Sequence, residues 1–240
     1  MLKVNERIDY IPGTKYKIIQ NKDRFSYGTD AIFLSYFAKG KGVVVDLGTG
    51  TGIIPLRLYG KDQVDIIYGI EIQEEVANMA ERSIALNNLK EKIKILNMDL
   101  KDLPHQFGKN TVDTITTNPP YMKAGGAIIN KEENFSLSRH EIACTLEDII
   151  GVSSYLLKPL GKFYMVHRPD RLVDIIYNLR QYNLEPKYIR FVQPKQSKKP
   201  NLILIEATKD GKPDLKFYDP LIVYNEEGTY TDEIYKIYGM

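Results

Sequence analysis

Thirty-three basic and 31 acidic residues nearly cancel across 240 positions, so no global field draws in polyanions and any nucleic-acid contact must be local. With 43% apolar residues the chain can bury one full core, while its apolar runs are too short for a membrane-spanning helix and no secretory start is visible, so a cytoplasmic protein is expected. One cysteine, Cys144, excludes an internal disulfide and reads as a small buried hydrophobe in a helical stretch; His105, His140 and His167 are scattered, which speaks against a metal centre.

In chain order, residues 1–42 read as an N-terminal extension and residues 43–240 as the main domain. Val43-Val44-Val45 is a short hydrophobic strand that runs through Asp46-Leu47 into Gly48-Thr49-Gly50-Thr51-Gly52 and a helix start at Ile53. Glycines there let backbone approach a ligand closely. No Gly-Lys-Ser/Thr follows, so the turn is not a Walker phosphate loop, and the third glycine comes too early for the dinucleotide fingerprint. The run Ile66 to Ile70 ends in Glu71, and Ile93 to Asn97 is followed by Asp99. A carboxylate at the tip of the second strand can accept from both hydroxyls of a ribose, and one at the third from an adenine amino group, with Met98 or Leu100 against the ring. Each acid alone is equally well a helix cap or turn residue. Thr49 and Ile72 complete the expected cofactor contacts.

Val112 to Thr117 is a β-branched strand that ends in Asn118-Pro119-Pro120-Tyr121, about seventy residues after the glycine turn. Such a tetrapeptide is an ordinary turn by composition, but ligands of open α/β sheets collect at the carboxyl ends of strands. An exocyclic amine is a poor nucleophile because its lone pair is delocalised. The Asn118 side-chain oxygen and the Pro119 carbonyl can accept both N–H bonds and draw the nitrogen towards tetrahedral geometry. Pro119 and Pro120 stiffen the loop, and Tyr121 offers a ring face for a base. The pattern points to methyl transfer to a planar nitrogen.

Helices are expected at Ile53–Leu58, Glu74–Asn88, Leu146–Leu157 and Pro169–Tyr182, and further strands at Lys162–His167, Tyr188–Gln193 and Leu202–Ala207. Residues 123–141 are expected to be a long substrate-facing loop closed by Arg139-His140-Glu141, where His140 is read as structural and not as a general base. The turn residues Lys195, Lys198 and Lys199, within a basic stretch from Lys187 to Lys216, and Lys123 outside it are candidate RNA contacts.

Asp46 to Gly52, Glu71, Asp99 and Asn118 to Tyr121 resemble, in order and spacing, the motifs of class I S-adenosylmethionine-dependent amino-methyltransferases. Tyr16 to Asn21, Phe25 to Ala31, Pro220 to Tyr224 and Tyr230-Thr231 narrow the resemblance to the bacterial valine-tRNA adenine N6-methyltransferases. The resemblance implies an α/β, doubly wound, Rossmann-like sheet of seven mostly parallel strands, the last antiparallel and inserted between the fifth and sixth. It also implies S-adenosylmethionine as cofactor, an extension over the cleft, and as substrate the adenine 3′ of the anticodon of a valine tRNA. Glutamine methyltransferases of translation factors share the tetrapeptide but carry a substantial helical domain before the glycine turn, where this chain has 42 residues before Val43. A DNA adenine methyltransferase would need a target-recognition region, and an RNA-binding module could keep the fold without the reaction.

Overall fold

The computed structural model describes residues 2–21, 26–60, 63–120 and 144–240. Strands β3 (Lys41–Leu47), β4 (Gln63–Glu71), β5 (Ile93–Asn97), β6 (Val112–Thr117), β7 (Leu157–His167), β8 (Leu184–Gln193) and β9 (Leu202–Lys209) form the body of one sheet in the order β5-β4-β3-β6-β7-β9-β8. Neighbours from β5 to β7 are parallel, and β9 is antiparallel to both β7 and β8, as the sequence leads one to expect. Two two-residue strands, β10 (Lys216–Phe217) and β11 (Leu221–Ile222), extend the β8 edge in parallel. A separate antiparallel pair joins β1 (Glu6–Tyr10) to β2 (Lys17–Asn21).

The strands read as continuous apolar runs because both faces are covered. Val44, Tyr164, Val166, Leu202 and Leu204 face one core with α1 (Thr29–Phe37), α2 (Ile53–Tyr59), α3 (Glu74–Leu86) and the β1–β2 side. Val45, Phe163, Met165, Ile203 and Ile205 face the other, under α4 (Leu103–Phe107), α5 (Leu146–Leu156) and α6 (Leu172–Gln181). This alternation is the period of two that a strand imposes.

The extension belongs to the first core. Ile11, Ile18 and four consecutive residues of α1, Ala31 to Leu34, are buried in it. The backbone N–H of Lys17 donates to Asn87 Oδ1 and that of Ile19 to Ser83 Oγ, so β2 climbs α3 towards its N-terminus. Residues 26–28 therefore reach the carboxyl edge of the sheet, where α1 begins. Arg57, buried in α2, donates to Ser35 Oγ (2.7 Å), to the Pro12 carbonyl and to the Ile237 carbonyl (3.2 Å), joining α1, the β1–β2 turn and α7 (Asp232–Tyr238) at one guanidinium. A second pin is the two-pronged pair of Arg190 on β8 with Glu233 on α7, both contacts at 2.7 Å.

Several boundaries differ from the sequence expectation. Lys158-Pro159-Leu160-Gly161 reads as a helix stop, yet β7 starts at Leu157 and carries these residues as an irregular stretch with Leu160 at φ 66°. Cys144 lies just before α5 and is only partly buried; Thr145 caps that helix through a reciprocal box with Asp148. Burial pushes the Cys144 thiol up to about 12, which makes it a poor nucleophile. No helix among the described residues is long and apolar enough to cross a membrane.

Candidate active site

The strand register puts the expected site residues on one line. Leu47 on β3 is level with Thr117 on β6 and with Ile70 on β4, while Glu71 is level with Asn97 on β5. Gly48, Asn118 and Glu71 are therefore the next residues up on three adjacent strands, with Asp99 two residues above Asn97. At about 4.8 Å per strand the row from Asn118 to Asp99 spans roughly 14 Å. It crosses the point where the chain, having laid β4 and β5 to one side of β3, returns to lay β6 on the other, which is where open α/β sheets bind ligands.

The glycine turn is built for close approach. Gly48 (φ 69°) and Gly50 (φ 56°) lie in the left-handed region, and a Cβ on either would meet nothing within 4 Å, so open space faces them. Gly69 on β4 leaves room for Thr49, whose side chain would lie 2.9 Å from a Cβ there, and the Thr49 N–H donates to the Ile70 carbonyl at 2.9 Å. Gly52 (φ 88°) starts α2 against Ala80.

Glu71 ties the turn to its strand. Its carboxylate accepts from the Gly50 N–H at 3.0 Å and the Gln73 N–H at 2.9 Å. An ionised carboxylate has about four lone-pair sites, so holding the turn does not prevent it from also accepting from a diol. Ile72 beside it is 41% exposed, an apolar shelf at the edge of the row. Asp99 caps the short turn Leu100–Asp102 by accepting from the Lys101 N–H at 2.9 Å, and Leu100 is half-buried there. The local capping role suggested for Asp99 by composition is thus present in the fold.

Asp46 sits behind the turn, fully buried. The Thr116 hydroxyl donates to its Oδ1 at 2.6 Å, and the Thr117 hydroxyl donates to the Leu47 carbonyl at 3.1 Å. Two hydroxyls of β6 thereby bind it side-on to β3, just below Asn118 and Gly48. Burial raises Asp46 to about 7; Thr116 and Thr49 favour the ionised form, and the charge of Glu71 opposes it. Although the Thr49 hydroxyl is close enough to act in this way, neither Thr49 Oγ1 nor Asp46 Oδ2 has a well-formed hydrogen bond among the described residues. Orphaned polar atoms under an open glycine cradle, with an acid at the next strand tip, fit a nucleoside cofactor.

Asn118 is half-buried, Pro119 buried and Pro120 exposed. Tyr121, Lys123 and His140 lie outside the described residues, as does Phe25. Sequence reasoning took His167 only as one of three scattered histidines; on β7 it stands one strand from β6 at the height of Pro119, since Met165 is level with Thr117. Burial, then the positive Arg171, brings it down to about 4, so the ring is neutral, and its Nδ1 accepts from the Arg168 N–H at 2.8 Å. Nothing in its sequence neighbourhood marks it. Among the described residues no cluster of three or more His, Cys, Asp and Glu side chains could hold a metal.

The basic stretch from Lys187 to Lys216 is largely consumed within the fold. Arg190 pairs with Glu233, Lys216 with Asp214 and buried Lys209 with Ser154 and Asp210, and Lys187 donates to the Lys212 carbonyl. Lys195 donates to the Glu226 carbonyl at 3.0 Å, while Lys198 and Lys199 are exposed. Their turn follows β8 and so lies at the same sheet end as Asn118.

The family model described as "Methyltransferase small domain" matches residues 17–173, from β2 through the glycine turn and Asn118 to the start of α6. The chain belongs to the methyltransferase small-domain family. This methyltransferase is 29% identical over 236 residues to the "tRNA1(Val) (adenine(37)-N6)-methyltransferase" of Porphyromonas gingivalis, covering 93% of this chain and 91% of that protein. It is 28% identical to the protein of the same description from Parabacteroides distasonis, covering 85% and 86%. Among solved structures the methyltransferase superposes on a "predicted O-methyltransferase" of Agrobacterium tumefaciens with a TM-score of 0.68 at 19% identity, over 88% of this chain and 95% of that one. Against TrmK of M. capricolum, solved with S-adenosyl-homocysteine, the TM-score is 0.56 at 14% identity, over 78% and 71%. These likenesses agree with the doubly wound sheet.

Proposed function

We propose that this methyltransferase transfers the methyl group of S-adenosylmethionine to the exocyclic N6 of an adenine in tRNA, the adenine 3′ of the anticodon of a valine tRNA. The observation that carries this is the level row Asn118, Gly48, Glu71; with Asn118 as the amine-holding group and the glycine turn as the cofactor cradle, the two would be neighbours. Relatives matched over nearly the whole chain carry this activity in their names, which supports the choice of substrate. A cytoplasmic site of action suits such a substrate.

In this proposal Gly48, Thr49, Gly50 and Gly52 cradle the cofactor, Glu71 accepts from its ribose, and Asp99 accepts from its adenine amine with Ile72 and Leu100 against the ring. Asp46 supports the cradle from beneath. S-adenosylmethionine, when bound, supplies an electrophilic methyl on a sulfonium. Asn118 Oδ1 and the Pro119 carbonyl hold the two N–H bonds of the target amine, and the proton is lost to solvent after transfer. Positioning supplies most of the acceleration. Tyr121 stacks on the target base, and Lys123, Lys195, Lys198 and Lys199 contact the RNA backbone. Residues 1–42 cover the cleft, a role supported by the path of β2 up α3.

The test is transfer of labelled methyl to unmodified total tRNA from a strain lacking this protein, followed by nucleoside analysis. Label in N6-methyladenosine confined to a valine tRNA is the expected result. Absence of label in tRNA, with cofactor binding intact, would overturn the proposal.

A further inference from the structure

Three tyrosines of the C-terminal segment stack in series. Tyr224 lies on Tyr230 with ring centres 5.2 Å apart and planes at 19°, and Tyr230 lies on Tyr238 at 5.5 Å and 13°. Tyr238 packs against the first core, whereas Tyr224 at the other end of the series is 38% exposed. The stack is fixed to the turn after β8. The Val223 N–H donates to the Gln193 carbonyl (2.9 Å) and the Tyr224 N–H to the Pro194 carbonyl (2.8 Å), and Lys195 Nζ reaches the Glu226 carbonyl. Lys198 and Lys199, on that same turn, are exposed and have no hydrogen bond or ion pair from their ammonium groups among the described residues. An exposed aromatic end ring tied to a turn that carries two available ammonium groups is the chemistry that takes an unpaired nucleotide: a base on the ring and a phosphate on the charges.

Position adds the second part of the argument. Counting β6, β7, β9, β8, this turn is three strand spacings from Asn118, roughly 14 Å across the sheet at the same carboxyl end. We propose that Tyr224, Lys198 and Lys199 form a docking ledge for a second unpaired nucleotide of the substrate RNA, flanking the adenine held at Asn118. The proposal rests on the tRNA assignment above. Exposed Glu226 and Glu227 on the neighbouring turn balance the charges of Lys198 and Lys199, with Lys195 alone left in surplus, so the ring and not bulk charge supplies most of the ledge's affinity.

The test uses the full chain with unmodified valine tRNA, measuring KM for RNA, kcat, cofactor affinity and the dependence of RNA binding on salt. Tyr224→Ala is expected to raise KM for RNA about tenfold with a smaller change in kcat, while Tyr224→Phe, which keeps the ring, restores most of the affinity. The double variant Lys198→Glu/Lys199→Glu is expected to raise KM several-fold and to flatten the salt dependence by about one to one and a half log units per log of salt. Cofactor affinity within twofold of the parent separates RNA docking from a general disturbance. A parent enzyme that methylates tRNA while both variants keep its KM and salt slope would overturn the ledge alone. A parent that puts no methyl on tRNA would overturn the function assignment and the ledge with it. Should Tyr224→Ala lower the melting temperature, the exposed lysine pair decides, because its substitution does not touch the core.

Discussion

The centre of the sheet and the part of the fold that meets the C-terminal helix α7 are held in different ways. Around β3, β4 and β6 the site is fixed by neighbours: register places Asn118, Gly48 and Glu71 level, and short polar links such as Thr116 to Asp46 and Gly50 N–H to Glu71 lock them. Around α7 the fold depends on side chains reaching far along the sequence, Arg190 of β8 to Glu233 and Arg57 of α2 to the Ile237 carbonyl. The first kind of order follows once the strands pair. The second forms only when the C-terminal segment docks. Substitutions in the two regions should therefore fail differently, the first in chemistry or cofactor binding with the fold intact, the second in stability.

The largest separation is expected at Asn118. Asn118→Ala should lower kcat about a thousandfold while cofactor affinity, read by calorimetry, stays within about twofold. Near-normal turnover would remove Asn118 from the chemistry and dissolve the distinction. Asp46 gives the next effect, through pH. Burial lifts its carboxyl to about 7 in the folded chain from an ordinary 3.8, so the folded state binds the proton more tightly than the unfolded state. The stability it contributes is complete below pH 3.8 and is lost as pH rises through 7. Unfolding curves of the ligand-free chain should show Asp46→Asn gaining on the parent by about 4 kcal/mol from pH 4 to pH 8. Parallel stability profiles would mean the site carries no such buried charge.

Arg57→Leu tests the long-range side. Loss of the guanidinium leaves two carbonyls and a hydroxyl without their donor, at a cost of about 3 kcal/mol in urea unfolding, with α7 the first element to lose protection in hydrogen exchange. Uniform loss of protection across the sheet would show that the pin does not act on α7 in particular. Thr116→Val is the mildest. It removes the donor to Asp46 without changing volume much, and should weaken cofactor binding about tenfold, with melting lowered by no more than a few degrees. Unchanged cofactor affinity would place the Thr116 link outside the function of the cradle.

Legibility followed the same division. The central strands announced themselves as β-branched runs ending in glycines, acids or Asn-Pro-Pro, because local composition and strand period settle such elements. Helix α1 escaped because Ala31 to Leu34 are buried consecutively, which leaves no amphipathic period to read, and because Gly28 makes no side-chain cap. The start of β7 was hidden by Pro159 and Gly161, which signal a helix end; the fold accepts them where the β6–β7 register shifts. The fate of the lysines between 187 and 216 depended on acids and carbonyls brought close only by folding, Glu233 above all. His167 was not singled out from the other histidines in sequence because its height beside Pro119 is a property of the register between β6 and β7.

The buried guanidinium also has a place in time. Ile237 follows Arg57 by 180 residues, so at about 5 to 20 residues per second the ribosome takes roughly 10 to 40 s to deliver that acceptor after α2 is made. Throughout that interval the emerging β3–α2–β4 region contains a cation that cannot yet be fully enclosed. The nascent chain can assemble its glycine turn early, but it must leave the α2 face open to water until the last helix arrives.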